Sequence, residues 1–256
     1  MPNLLEGKLA LVLGIANKWS LAYAIARAFA REGATLALTC LAPKYKDGLA
    51  EITSDLPVAG ILPCDVTKEE EIAGLQEWLA GMQRPLDVVV HSLAFANRED
   101  LTRDFVQTPR SGFLLAQEVS AYSLVSVARA TAPLMKNGGA IMTLTYLGAT
   151  RVVPNYNVMG VAKAALEAAV RYLANDLGAS NIRVNAISAG PVKTASARGI
   201  KDFTKLLDGV ADRAPLKRTT EPAEVADTAV FLASDLGRGL TGNILFVDAG
   251  LHLMAF

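Results

Sequence analysis

Seven short apolar runs recur along the chain: "LALVLG" (9–14), "TLALTC" (35–40), "VAGILPC" (58–64), "LDVVVHS" (86–92), "AIMTLT" (140–145), "RVNAIS" (183–188) and "ILFVD" (244–248). Continuous apolar runs of this length suit strands covered on both faces, as in a parallel sheet. Helical patterns lie between them. Leu21, Ile25 and Phe29 recur every four residues, and "REGA" closes that pattern near Gly33. "TKEEEIAGLQEWLAG" carries Thr67 and Glu70 at capping-box spacing. Thr220, Glu221 and Pro222 have the chemistry of a helix start. Strand, helix, strand, repeated from residue 8 to 248, predicts a doubly wound α/β fold: a parallel sheet of about seven strands, helices on both faces and right-handed crossovers.

Two stretches break the rhythm. "AFANREDLTRDFVQTPRSG" (94–112) is polar and follows a strand, and residues 190–221 fall between a strand and a helix. Both belong at the carboxyl ends of strands, where open α/β sheets bind ligands, and long insertions there often serve as lids. Composition removes several classes of function. Apolar residues make up 52% and charged ones 20%, which is incompatible with disorder. Twenty-five basic residues balance 25 acidic ones, so nothing points to nucleic acid or an anionic membrane. Cys40 and Cys64 are not paired as C-x-x-C, and only His91 and His252 could join them, so no metal site is expected. Both cysteines end apolar runs and read as buried small hydrophobes. No secretory leader pattern and no membrane-length apolar run is present, so the expectation is a reduced, cytoplasmic protein.

"LVLGIANKWSLAYAIA" (11–26) is the first strand–turn–helix. Gly14 permits a tight turn and close approach of backbone N–H groups to a pyrophosphate, although no G-x-G-x-x-G is present. Ser20 could cap the helix, bind phosphate, or do both. Asp65, past the third strand, is either a turn residue before Thr67 or an acceptor for an adenine amino group. His91 reads as a buried strand histidine more readily than as a base. Tyr146 follows the fifth strand, as an interface aromatic or as a second phenol at the mouth of the sheet. Tyr156 and Lys163 are seven residues apart, about two helical turns or about 10 Å of rise, and so share a face. Spacing alone leaves open a core tyrosine with a snorkelling lysine. The alternative is an ammonium that favours the phenolate of a nearby phenol, which can donate to a developing oxyanion. No nucleophile elbow, P-loop or H-E-x-x-H appears.

Several motifs in order carry a family resemblance: Gly14 with Ser20, "CDV" (64–66), "HSLAFA" (91–96), "YLGA" (146–149), "NYNVMGVAKA" (155–164) and "RVNAISAGPVKT" (183–194). Together they resemble the NADH-dependent enoyl-[acyl-carrier-protein] reductases of bacterial type II fatty acid synthesis, divergent members of the short-chain dehydrogenase/reductase superfamily. The likeness runs nearly the whole chain, and its most specific element is Tyr156, Met159 and Lys163. Ordinary short-chain dehydrogenases carry Tyr-x-x-x-Lys, whereas position 160 here is glycine. The resemblance implies one Rossmann-like domain over 1–256 with a substrate lid around 192–210. It implies NADH as cofactor, with Gly14, Ser20 and Leu21 at the pyrophosphate, Asp65 and Val66 at the adenine and Leu93 near the adenosine. Val192, Lys193, Thr194, Ala195 and Ser196 would pass the nicotinamide and pyrophosphate, and Lys163 would hold the nicotinamide ribose. Leu41 stands where the family often carries a polar residue that meets the adenosine ribose, and leucine offers no hydrogen bond there. Ala96, Tyr146, Tyr156 and Met159 would line the acyl pocket, with Ile200 and Phe203 from the lid.

The implied chemistry is conjugate hydride transfer from the cofactor to the β-carbon of a trans-2-enoyl thioester on acyl carrier protein. Tyr156 would donate to the enolate oxygen, with Tyr146 and Lys163 assisting. A homo-oligomer, expected to be a tetramer, is implied as well, and the Ala/Val/Leu/Ser-rich helices expected over 113–135 and 156–178 suit packing against a copy of themselves. Two rivals share the fold. A ketoreductase would want Tyr-x-x-x-Lys and a catalytic hydroxyl, and Thr143 stands 13 residues before Tyr156, about where that hydroxyl belongs. A nucleotide-sensing protein would keep Gly14 and lose Tyr156 or Lys163, and both are present.

Overall fold

A computed structural model describes residues 3–192 and 209–255. The seven strands form one parallel sheet: β1 (Leu9–Leu13), β2 (Thr35–Cys40), β3 (Val58–Pro63), β4 (Val88–His91), β5 (Gly139–Thr145), β6 (Ile182–Ala189) and β7 (Ile244–Val247). Their order is β3-β2-β1-β4-β5-β6-β7, every neighbouring pair parallel. Every expected strand is present, with ends shifted by a residue or two. All five residues of β1 are buried. Ala10 and Val12 enter one core layer, with Ile25 and Phe29 of α1 (Leu21–Arg31) and with Val225 and Val230 of a later helix. Leu9, Leu11 and Leu13 enter the other, with Ile72, Leu124 and Leu166. The period of two in a strand thus serves two covered faces, which is why no polar alternation is visible in the sequence.

Among the described residues the other α-helices are α2 (Lys46–Ile52), α3 (Glu69–Ala80), α4 (Arg98–Thr102), α5 (Arg110–Gln117), α6 (Ser123–Thr131), α7 (Asn157–Gly178) and α8 (Pro222–Ala233). The expected start of α8 holds: Glu221 and Glu224 close a reciprocal capping box with Pro222 in the first turn. The Thr67–Glu70 box does not form. Asp65 takes both the Thr67 N–H (3.1 Å) and the Thr67 hydroxyl (2.8 Å), so the threonine is spent on a turn and α3 starts after Lys68. The carboxylate that reaches back is that of Glu71, which accepts from the Asp65 N–H at 2.6 Å. The stretch 113–135 is not one helix. A π turn, Glu118–Tyr122, separates α5 from α6 and puts the buried Ser120 on the side of α7. Among the described residues no helix is long and apolar enough to cross a membrane.

The sheet order reverses between β1 and β4, and the crevice at their carboxyl ends is where the site assembles. Gly14 follows β1 with φ +96°, and a Cβ there would fall 2.0 Å from the Ser92 carbonyl oxygen that follows β4. Only glycine meets both demands. Gly14→Ala is expected to destabilise the fold by at least about 1–3 kcal/mol, to be read as a lowered midpoint in urea unfolding. An unchanged midpoint would mean that the two strand ends can part without cost.

Candidate active site

Lys163 lies on the inward face of α7 and is only 6% exposed. Its Nζ donates to the carbonyl of Leu144, next to the end of β5, at 2.7 Å. A snorkelling lysine would reach water, and this one turns into the strand end. Tyr156 is the residue just before α7, half-buried, and its ring meets that of Tyr146 edge to face with centroids 5.0 Å apart. The two phenols therefore stand together at the mouth of β5. The backbone on both sides of Tyr156 is left-handed, with φ +61° at Asn155 and φ +33° at Asn157. Asparagine tolerates that region better than most residues. The Asn157 side-chain amide donates to the Arg103 carbonyl, which ties the end of α4 to the start of α7.

Gly160 explains the spacing of the pair. A Cβ at 160 would come 2.8 Å from the Gly148 carbonyl oxygen, and one at 148 would come 2.5 Å from the Tyr156 ring. The chain after β5 packs so closely on α7 that neither position has room for a side chain. A lysine four residues after Tyr156 is excluded sterically, and the next inward position toward β5 is 163.

Burial dominates the electrostatics. It raises Tyr146 to about 12, and raises Tyr156 still further with Tyr146 adding to the effect. The expected pull of the ammonium toward a phenolate does not set the state of Tyr156: burial and Tyr146 both push it upward, and it stays a protonated donor. Lys163 is pulled down by burial to about 8, against the opposing effect of Glu167. Glu167, also buried, is pushed up by desolvation, while Thr145 Oγ1 donates to its Oε1 at 2.7 Å. Sequence reasoning passed over Glu167 and Thr145. The readable signal was a glutamate four residues after Lys163 on the same helix face.

His91 is the buried strand histidine expected. Its Nδ1 lies 2.9 Å from Thr143 Oγ1 and its Nε2 lies 2.7 Å from Ser123 Oγ. Both ring nitrogens thus meet hydroxyl oxygens, whose own protons go to the His91 and Val119 carbonyls. Burial, with Lys163 adding, pulls its pKa to about 3.

Ser20 caps α1, accepting from the Tyr23 N–H at 3.3 Å and donating to the Asn17 carbonyl at 2.7 Å, with Leu21 opening the helix behind it. Leu41 is 59% exposed past β2, and Asp65 and Val66 follow β3 beside it. Leu93 and Ala96 follow β4, partly buried, and buried Met159 places Sδ 3.6 Å from Ser120 Oγ. Val192 is buried. Lys193, Thr194, Ala195, Ser196, Ile200 and Phe203, and with them nearly all of the lid expected at 192–210, lie outside the described residues. Cys40 and Cys64 are buried free thiols, and among the described residues no cluster of metal-ligating side chains occurs.

The residues present fit a dinucleotide. Gly14 packs bare backbone against Ser92 where the β1 and β4 ends meet, the Ser20-capped helix start follows it, and Lys163 reaches the end of β5 from α7. A family model described as "Enoyl-(Acyl carrier protein) reductase" matches residues 14–252. A relative from Bacillus cereus named "Enoyl-[acyl-carrier-protein] reductase [NADH] FabI" is 52% identical over 254 residues, covering 98% of this chain and 99% of its own. A crystal structure of the Bacillus cereus enoyl-acyl carrier protein reductase with NADP+ and indole naphthyridinone superposes with a TM-score of 0.96 at 51% identity, with 99% of each chain covered. The reductase from Anaplasma phagocytophilum in complex with NAD superposes equally well, TM-score 0.96 at 45% identity, covering 99% of this chain and 97% of that one.

The neutral His91 gives stability a pH dependence. Below the ordinary histidine value of 6.5 the unfolded chain takes up a proton that the native state refuses until about pH 3. Stability is fully present above that upper value and is lost on acidification, at up to about 1.4 kcal/mol per pH unit. His91→Gln, which keeps one donor and one acceptor, should flatten this slope in thermal unfolding followed between about pH 5 and pH 7. An unchanged slope would show that His91 charges within the fold.

Proposed function

Since the chain belongs to the enoyl-[acyl-carrier-protein] reductase family, we propose that Tyr156 and Lys163 divide its chemistry between them. The enzyme reduces the double bond of enoyl-acyl-carrier-protein thioesters in fatty acid synthesis, using a reduced nicotinamide dinucleotide. When bound, the dinucleotide would supply the hydride to the β-carbon, and the proton that completes the reduction at the α-carbon comes ultimately from water. Gly14, Ser20, Leu21, Asp65, Val66, Leu93 and Val192, with 193–196, hold it along the carboxyl ends of the strands. Lys163 takes the ribose next to the nicotinamide and brings positive potential to the site. Tyr156 keeps its proton and donates a hydrogen bond to the thioester oxygen as charge develops there. Tyr146, edge-on to it, excludes water from one side and stiffens its orientation. Ala96 and Met159 line the acyl pocket, with Ile200 and Phe203 from the lid.

The observation that carries this reading is the buried Lys163 ammonium two helical turns from a desolvated, protonated Tyr156. Two features weigh against a ketoreductase. The Thr143 hydroxyl, its would-be catalytic group, is buried against His91. Position 160, its would-be lysine, has no room for a side chain. A homo-oligomer, a tetramer by the family likeness, is supported by exposed apolar side chains on the outer faces of α5 to α7: Leu114, Tyr122, Val161 and Tyr172.

Tyr156→Phe removes one donor to developing charge. The kcat on an enoyl-carrier-protein substrate should fall by roughly 10²–10³ while NADH affinity holds. Turnover near that of the parent enzyme would sink the role.

NADH is proposed as the preferred cofactor. Past β2, exposed Leu41 is followed by Ala42 and Pro43, which carry no side-chain donor for a 2′-phosphate. Lys44 Nζ lies over the Tyr45 ring, 5.0 Å from its centroid, and Lys46 opens α2. Steady-state assays at matched concentrations should give the higher kcat/KM with NADH. A kcat/KM for NADPH equal or greater would mean that Lys44 leaves Tyr45 or that Lys46 folds back.

A further inference from the structure

We infer that Glu167 is a positioning residue for the reduction: tied to Thr145, its carboxylate holds the Lys163 ammonium charged at the end of β5. The inference deepens the proposed function and rests on the reading that Lys163 takes the cofactor ribose.

Two consecutive residues of β5 anchor two opposite charges of α7. The Leu144 carbonyl accepts from Lys163 Nζ at 2.7 Å, and the Thr145 hydroxyl donates to Glu167 Oε1 at 2.7 Å. Both charged side chains are nearly inaccessible, Lys163 at 6% and Glu167 at 8%. Four residues apart on a helix, they share one face, about 6 Å of rise between them. Lysine preceding glutamate is the weaker order for helix stability, so local propensity does not account for the pair. A carboxylate with one hydroxyl partner is poorly compensated when buried, and a single carbonyl compensates an ammonium no better. No direct ion pair joins them among the described residues, yet across one turn of α7 each favours the charged form of the other.

The groups facing Lys163 from the surrounding elements leave that task to Glu167. His91 comes from β4, neutral and bonded to Thr143 of β5 and Ser123 of α6. Tyr146 and Tyr156 come from the end of β5 and the start of α7, both protonated. β6 turns Val184 and Ala186 to this layer. Arg171, one turn beyond Glu167 on α7, helps keep that carboxylate ionised. Burial already draws Lys163 down to about 8, with Glu167 opposing the drop. Without the anion, the amine would lose its proton nearer neutrality. Its pKa is depressed in the fold, so its charge is present at low pH and lost as pH rises through that value.

The test is NADH affinity by calorimetry from about pH 6.5 to pH 9.5. The parent enzyme should bind with constant affinity at the acid end and lose affinity on the alkaline side. Glu167→Gln keeps the length and the acceptor for Thr145 but not the charge. Its alkaline limb should move down by about one pH unit, a loss of about tenfold in affinity on that limb, with acid-end affinity unchanged. Glu167→Asp keeps the charge and should restore the limb toward the parent position, whereas a merely structural role would affect both variants alike at every pH. Should Glu167→Gln not fold by circular dichroism, Thr145→Val, which loosens the carboxylate, is titrated in its place and must shift the limb the same way. A limb that stays where it was overturns the inference. A parent enzyme with no alkaline limb, together with a Lys163→Met variant that binds NADH normally, overturns the ribose reading of Lys163 and this inference with it.

Discussion

A parallel strand covered on both faces leaves polar chemistry one outlet, its carboxyl end. β1, β4 and β5 are buried along nearly their whole length, so the groups that need a ligand gather where the strands stop. Gly14 and Ser92 meet at the reversal of strand order, and Leu144 and Thr145 receive Lys163 and Glu167 at the neighbouring edge. The close contact of Gly148 with Gly160 clamps the chain after β5 onto α7. That clamp fixes where Tyr146 can sit relative to Tyr156. The site is a consequence of how tightly the layers pack, because a looser approach would admit side chains at 148 and 160 and move the phenols apart.

Desolvation then sets the protonation states. Tyr146, Tyr156, His91, Lys163 and Glu167 are all driven toward their neutral forms by burial. For the tyrosines and the histidine this is compatible with function: a phenol keeps its proton to donate, and a neutral imidazole bridges two hydroxyls across three elements. For Lys163 it is opposed to function, since a cation is what the ribose site needs. The buried Glu167 is the feature that resolves this opposition.

Much of this was readable in advance. The seven apolar runs mark the seven strands because a strand buried on both faces cannot hide its composition. Gly14, Ser20, His91 and the Tyr156–Lys163 pair stand where motif spacing puts them, because each lies within one local unit: a strand end, a helix cap, or two turns of one helix. The misreadings were contests between neighbours in space. Thr67 looked like a cap until Asp65 claimed its hydroxyl and amide. The phenol looked like a phenolate partner for Lys163 until burial was set against charge. The stretch 113–135 looked like one helix until the π turn at Glu118–Tyr122 carried Ser120 toward Met159.

The sequence by itself determined the layer architecture, the strand count and the chemical identity of the pair at 156 and 163. Those follow from composition and period, which act over a few residues. Only the tertiary structure decided that Lys163 turns inward to Leu144, that Thr143 is occupied by His91, and that position 160 has no room for a lysine. Each of these depends on the distance between segments remote in the chain. Whether a buried charge is solvated, paired or neutralised is set by that distance, and no local pattern of residues encodes it.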